Sequence, residues 1–249
     1  MKKIETITPY TDNASKQEQI TTAFNTIAPR YDFMNRLLSL GIDVLWRQKA
    51  LRSIGSSAPE NILDLATGTG DFALMAARKF PGARITGIDL SDRMLEIANT
   101  KIRAKKFPQA IEFIRADCLQ TPFPENKFDL ATLAFGIRNF ADLDAGCREI
   151  NRILKPGGRI LILELSRPSN RLISALYNFY LKHIIPALGH IFSGSQREYT
   201  YLQESIRHVP QAEEMLDILR QAGFINDDVQ RYTFGICSCY TAERASASA

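Results

Sequence analysis

Long apolar runs are what this chain most lacks. No stretch reaches the roughly 18 successive apolar residues of a spanning helix, which argues against a helical membrane span. The amino terminus, Met1-Lys2-Lys3-Ile4 followed by polar residues, has no apolar core of the kind a secretory leader needs. Cysteine is limited to Cys118, Cys147, Cys237 and Cys239, whose spacing fits neither a paired secretory framework nor a zinc-ligand set. The three histidines, His183, His190 and His208, are scattered, so no metal site is expected. A marked excess of one charge is missing too: 31 Lys+Arg against 27 Asp+Glu leave a net charge of +4. The densest basic run, Lys101, Arg103, Lys105 and Lys106, closes an expected helix. It reads as a solvated face, with contact to acidic lipid headgroups as the alternative. A nucleic-acid partner is not expected, because the positive charge is diffuse and no recognition motif accompanies it. These absences point to the cytoplasm, with any lipid contact peripheral.

What is present suits one large α/β domain with a modest appendage. The chain has 249 residues, 45% of them hydrophobic and 23% charged, enough to bury a core without disulfide staples. Residues 1–16 read as a loose polar tail. A helical pattern then runs from Gln17 to Gly55, broken at Gly41, with Asp43 as a plausible N-cap for its second half. The middle alternates strands and helices. Strands are expected at Asn61–Leu65, Arg84–Ile88, Ala110–Arg115, Phe128–Phe135 and Arg159–Leu165. Helices are expected at Phe72–Phe80, Asp92–Lys105 (capped by Ser91) and Leu143–Leu154, with Lys155-Pro156-Gly157-Gly158 as a turn. That rhythm implies a mostly parallel sheet covered on both faces. The stretch from Ser169 to Tyr201 breaks it with Leu172, Leu176, Phe179 and Tyr180 at helical spacing. A helix over Gln211–Ala222 and two closing strands, Phe224–Val229 and Tyr232–Tyr240, complete the chain; Cys237 and Cys239 would share one strand face.

The sharpest local signal is Ile62-Leu63-Asp64-Leu65-Ala66-Thr67-Gly68-Thr69-Gly70-Asp71, a buried strand running into a glycine-rich turn and a helix. Glycines there let the backbone approach a ligand at the carboxyl end of a strand, where open α/β sheets bind. Gly68, Gly70 and Ala73 also satisfy a loosened dinucleotide spacing, and Asp89, about 20 residues further on, could accept from two ribose hydroxyls in either kind of cofactor. Asp64 tips the balance toward a methyl donor. A carboxylate inside an apolar strand is costly unless paired, and the ammonium group of a sulfonium amino acid would pair with it. Asp71 at the helix start would repel a pyrophosphate, although it also reads as an N-terminal cap. Asp117 and Cys118 follow the third strand, where the carboxylate and a backbone N–H could hold an adenine; Asp117 as a plain turn residue is the alternative. Asp129 is read as structural.

Phe135-Gly136-Ile137-Arg138-Asn139 follows the fourth strand, at the edge where a transferred methyl would lie. Arg138 and Asn139 are therefore candidate reactive groups. Their plainer reading is a surface ion pair for Arg138 and a helix cap for Asn139. This segment resembles the signature of the quinone-biosynthesis C-methyltransferases, which methylate demethylmenaquinol and, in some bacteria, a ubiquinol precursor. The likeness extends over about residues 20–240. It is carried also by Tyr31-Asp32-Phe33-Met34-Asn35 with Ser39, Gly41, Trp46 and Arg47, by Asp64–Asp71, by Leu163–Pro168, and by Tyr199–Ile206.

The resemblance implies a class I, Rossmann-like, S-adenosylmethionine-dependent methyltransferase fold, with a mostly parallel seven-stranded sheet. It implies donor contacts at Thr69, Asp89, Asp117 and Cys118 along the Gly68–Gly70 turn. The chain departs from the family at Ala134, where serine is frequent, and at Tyr240 and Ala242, where His and Gly are usual. The implied acceptor is a prenylated hydroquinone, demethylmenaquinol, with the ubiquinol precursor as alternative. Methylating a ring carbon needs a phenolate. Arg138 could stabilise that charge, Asn139 could bind the other ring oxygen, and Tyr201, Asp32 and Glu164 are candidates for proton handling; Arg138 itself is no base. No metal is needed, because the sulfonium is already activated. Residues 1–55 would be tail and helical substrate cap, and 56–249 the methyltransferase domain with a lid inserted at about 169–209. Tyr177, Phe179 and Lys182 would suit a transient membrane-surface contact, while a homodimer contact remains open for the same insert. The rivals are a methyltransferase for another small apolar molecule, a nicotinamide reductase and a non-enzymatic binding module.

Overall fold

The computed structural model describes residues 1–55, 58–104, 107, 110–185 and 197–246. Seven strands, β1 (Asn61–Leu65), β2 (Arg84–Asp89), β3 (Ile111–Arg115), β4 (Phe128–Ala134), β5 (Leu154–Leu165), β6 (Phe224–Tyr232) and β7 (Cys237–Arg244), form one sheet in the order β3-β2-β1-β4-β5-β7-β6. β7 runs antiparallel to both of its neighbours, and the other pairings are parallel. The strand order reverses between β1 and β4, which opens a crevice at their carboxyl ends.

Alternation explains why β5 reads as uninterrupted hydrophobicity. Ile160 and Ile162 join the core on one face of the sheet, while Leu161 and Leu163 join the core on the other. Cys237 and Cys239 share the second of these cores, as their spacing predicts, and Tyr240 and Ala242 belong to the first. Helices α1 (Lys3–Thr6), α2 (Lys16–Ile27), α3 (Tyr31–Ser39) and α4 (Ile42–Ser53) precede the sheet. α5 (Asp71–Lys79), α6 (Asp92–Ala104) and α7 (Leu143–Ile153) are its crossovers. After β5 come α8 (Arg171–Phe179), which continues as a π-helical turn at Tyr180–Ile184, then α9 (Arg197–His208) and α10 (Glu213–Gln221).

Several expectations are corrected. The amino-terminal tail is docked: Ile4 is fully buried in the core, the Glu5 Oε1 accepts from the Leu143 N–H at 3.0 Å, and Lys2 pairs with Asp144 at 2.6 Å. Burying one isoleucine, worth about 1.5–3 kcal/mol, holds what composition alone presents as a loose end. Gly41, in the left-handed region at φ 76°, caps α4, which leaves Asp43 free for ion pairs. Gly70, at φ 78°, caps α5, so Asp71 is likewise not the cap. Lys155–Gly158 is an irregularity within β5 rather than a turn before it. The break between the closing strands falls at Thr233–Gly235, where Thr233 and Phe234 take positive φ.

A third, smaller core of Met34, Leu181, Ile185 and Ile206 ties the insert and α9 to α3, and the Tyr180 hydroxyl donates to the Leu38 carbonyl at 2.7 Å. His190, Leu188, Ile191 and Phe192 of the insert, and Lys105 and Lys106 of the basic run, lie outside the described residues.

Candidate active site

The glycine turn after β1 forms the floor of a slot. A β-carbon at Gly70 would meet the Phe113 ring at 2.6 Å, so packing as well as its positive φ requires glycine there. The Gly68 N–H donates to Asp89 Oδ2 at 2.9 Å, and the other carboxylate oxygen accepts from the Ser91 N–H at 2.9 Å. Burial pushes the Asp89 carboxyl up. Asp117 Oδ1 accepts from the Leu119 N–H at 2.9 Å and Oδ2 from the Gln17 side chain at 2.6 Å, so α2 covers this end of the slot. Cys118 lines it too. Burial pushes its thiol up, which keeps it protonated and unfit as a nucleophile.

Asp64 lies beneath the turn. Its two carboxylate oxygens accept from the Thr67 and Thr132 hydroxyls, each at 2.6 Å, and burial pushes the carboxyl up to about 6. Thr69 sits in an ion network: its hydroxyl donates to Asp32 at 2.6 Å, and Lys101 reaches Asp32 and Asp71, each at 2.6 Å. Arg36 bridges Asp71 to Asp43, and Arg47 completes the chain to Asp43. Burial works against the Asp71 charge, but Lys101 holds the carboxyl below its ordinary range. Asp32 therefore stands over the glycine turn. In sequence Lys101 carries no mark of a site residue, since a lysine near a helix end looks solvated.

A second cavity adjoins the slot. About 150 Å³ in this chamber and 90 Å³ in the slot each exceed the ~10–15 Å³ that holds one water. The chamber is mostly apolar, with Trp46, Leu181 and Ile206 in its wall. Phe24, Tyr31 and Phe135 line both spaces, so they mark where a donor and an acceptor would meet. Phe135 holds φ 61°, a conformation that non-glycine residues take at a cost of about 1–3 kcal/mol and that clusters at functional positions. Arg47 lies 4.9 Å from its ring centre.

Arg138 is buried in the chamber and donates to Glu164 at 2.8 Å, not to a surface acid. Burial opposes its charge, and Glu164 more than offsets this, raising the guanidinium pKa. Its Nε is buried without a hydrogen-bond partner among the described residues. Asn139 caps no helix; Asp142 does that for α7, and Asn139 accepts from the Tyr201 hydroxyl at 2.9 Å. Burial raises the Tyr201 hydroxyl well above its ordinary value. The structure thus brings Arg138, Asn139, Glu164 and Tyr201 together. Two further residues, Arg47 and Glu198, also line the chamber. Arg47 had appeared only within the family likeness, and Glu198 had no signal, because one glutamate on a helix looks like an ordinary solvated residue.

An acid-rimmed slot at a switch point, with a separate apolar chamber opening onto the same strand end, is what an enzyme needs to bring a charged donor to a hydrophobic acceptor. Fold and site together define a class I methyltransferase that uses S-adenosylmethionine. The fold is shared with an S-adenosylmethionine-dependent methyltransferase of Thermotoga maritima, at a TM-score of 0.64 and 19% identity over 90% of this chain and 99% of the other. More specifically, the chain belongs to the ubiE/COQ5 methyltransferase family, whose profile matches residues 12–244. It is 41% identical to the demethylmenaquinone methyltransferase of Bacteroides fragilis, over 96% of this chain and 98% of that protein. It is 42% identical to the ubiquinone/menaquinone biosynthesis C-methyltransferase of Geobacter sulfurreducens, over 92% and 90% respectively.

Proposed function

We propose that the protein methylates a ring carbon of demethylmenaquinol, giving menaquinol. One observation carries the reading: the slot and the apolar chamber share the wall at Phe135, with the buried Arg138 guanidinium lining the chamber side. The Bacteroides fragilis relative, named for this acceptor and matched almost end to end, supports it. The donor supplies a methyl group on a positively charged sulfur. Asp89 accepts from its ribose hydroxyls, Asp117 and the Cys118 N–H hold the adenine, and Gly68, Thr69, Gly70 and Asp64 surround the amino-acid end. Arg138 stabilises the ring phenolate through charge and its Nε–H, which has no partner among the described residues, and Asn139, steadied by Tyr201, holds the second ring oxygen. Glu164 keeps Arg138 charged and placed. Exclusion of water by the chamber walls strengthens each of these terms.

In this reading residues 1–55 cap the substrate, and the insert at about 169–209 closes the prenyl side. No helix among the described residues is long and apolar enough to cross a membrane. α8 does present Leu172, Leu176 and Phe179 to solvent, 70%, 63% and 59% exposed, at helical spacing and with Lys182 beyond. That stripe fits a surface-bound helix at the cytoplasmic face, where a prenylated substrate resides.

The test is direct. Purified protein with labelled S-adenosylmethionine and reduced demethylmenaquinol should give labelled menaquinol. Transfer to a hydrophilic acceptor with none to either prenylated quinol would overturn the reading. The Geobacter sulfurreducens relative, whose name covers both pathways, favours a second reading, in which 2-polyprenyl-6-methoxy-1,4-benzoquinol is also methylated. Offering the two quinols in one competition assay ranks them.

A further inference from the structure

We propose that Glu198 is the base that takes the hydroquinone's hydroxyl proton, with Tyr10 as the residue that positions it; the proposal rests on the acceptor reading above. Only two acids among the described residues line the chamber, Asp43 and Glu198. Asp43 is committed: Arg36 and Arg47 take one oxygen, and the Ser39 hydroxyl donates to the other at 2.8 Å. Glu198 is 9% exposed, and its Oε1 accepts from the Tyr10 hydroxyl at 2.8 Å. Its Oε2 is buried with no hydrogen-bond partner among the described residues. Leaving a buried carboxylate oxygen unpaired is costly, and such an atom calls for a reason. A phenolic O–H in the chamber supplies the missing donor.

The other candidates are occupied. Glu164 Oε1 accepts from Arg138 and from the Leu165 N–H, each at 2.8 Å. Asp32 is held by Lys101 and Thr69 over the donor turn. Tyr201 spends its proton on Asn139, and a hydroxyl whose pKa is raised by burial is a poor source of a base at neutral pH. Glu198 stands three residues before Tyr201 on α9, on the same helix face, so it sits one turn from the contact that reaches the donor side. Tyr10 is itself fixed, because its N–H donates to the buried Gln19 side chain at 2.9 Å. By filling Oε1, Tyr10 leaves Oε2 as the free acceptor.

The step balances. The O–H bond breaks and its proton passes to Glu198 Oε2. The phenolate pair moves onto the ring carbon, which bonds the methyl carbon as the C–S pair stays on sulfur. The ring carbon then loses its hydrogen as a proton to solvent, aromaticity returns, and the oxygen recovers the proton from Glu198. One proton is released overall.

The isosteric variant Glu198→Gln tests this, with demethylmenaquinol kept reduced in the assay. Expected are a loss of at least 100-fold in kcat, within the range for general bases, with an unchanged dissociation constant for adenosylhomocysteine and an unchanged melting temperature. A ring-chlorinated hydroquinone, whose hydroxyl ionises more readily, should show a smaller defect in the same variant. Tyr10→Phe should lower kcat less than Glu198→Gln while leaving KM for the donor alone. Wild type active with Glu198→Gln within threefold of it would overturn the assignment and leave the acceptor reading standing. Equal defects on both hydroquinones, or a melting loss that accounts for the drop, would also overturn it. Wild type inactive on prenylated quinols overturns both.

Discussion

Arg138 illustrates how a residue gains its meaning from what lies opposite. As sequence it is one cation two residues after a glycine; in the fold it is buried, paired with Glu164, and its Nε has no partner among the described residues. Arg138→Ala is expected to leave donor binding near normal and to cut turnover at least tenfold. Calorimetry with adenosylhomocysteine alongside kinetics checks this, and an equal loss of donor affinity would refute the acceptor-side role. Lys16 makes a different point. It is buried, donates to the Ile4 carbonyl at 2.6 Å, and burial lowers its pKa from 10.5 to about 8. A depressed lysine costs stability fully below the folded pKa, where it must be charged in both states. That cost vanishes above 10.5, where it is neutral in both. The difference corresponds to about 3 kcal/mol. Relative to Lys16→Met, the natural protein should therefore gain stability as pH rises from 8 to 10.5, measured by urea unfolding. A difference independent of pH would contradict the burial of that charge.

At the level of elements, legibility followed periodicity. β1, β2, β4 and the second half of β5, with the crossovers, were readable because a strand buried on both faces is a short apolar run, and a covering helix shows one apolar stripe. Helix starts were less readable. Asp43 and Asp71 look like caps, but Gly41 and Gly70 in left-handed geometry take that place, and the aspartates turn to arginine and lysine from other helices. The end of β6 was misplaced because Thr233 and Phe234 carry ordinary side chains in positive φ, which no composition rule announces. Gly70→Ala should lower the melting temperature, since the added carbon meets Phe113 at 2.6 Å in a strained φ, a cost of about 1–3 kcal/mol. A crystal structure of that variant should show Phe113 displaced; an unaltered melting curve would contradict the tight packing. On α8, replacing Leu172 and Leu176 together with serine should reduce flotation with anionic liposomes without changing donor affinity. Undiminished flotation would remove the stripe as the contact.

For the whole molecule, two cavities meeting at one wall make the donor site testable apart from the acceptor. Adenosylhomocysteine at 100 times its dissociation constant should stabilise the fold by about 2.7 kcal/mol, seen as a raised melting temperature, while NADH should give none. The reverse pattern would favour the nicotinamide reading that Gly68, Gly70 and Asp89 leave open in the sequence.

The order of strands and helices, the glycine turn, and acids at the ends of β1, β2 and β3 were all written locally, because backbone periodicity and turn chemistry act over a few residues. Tertiary structure alone decided which of the chain's acids are already satisfied. Thr67 and Thr132 hold Asp64, Lys101 claims Asp32, and Tyr10, from the opposite end of the chain, takes one oxygen of Glu198 and leaves the other without a partner among the described residues. Partners so far apart in sequence meet only when the sheet and its caps have packed, and hydrogen bonding in a dry interior is what separates a structural carboxylate from a reactive one.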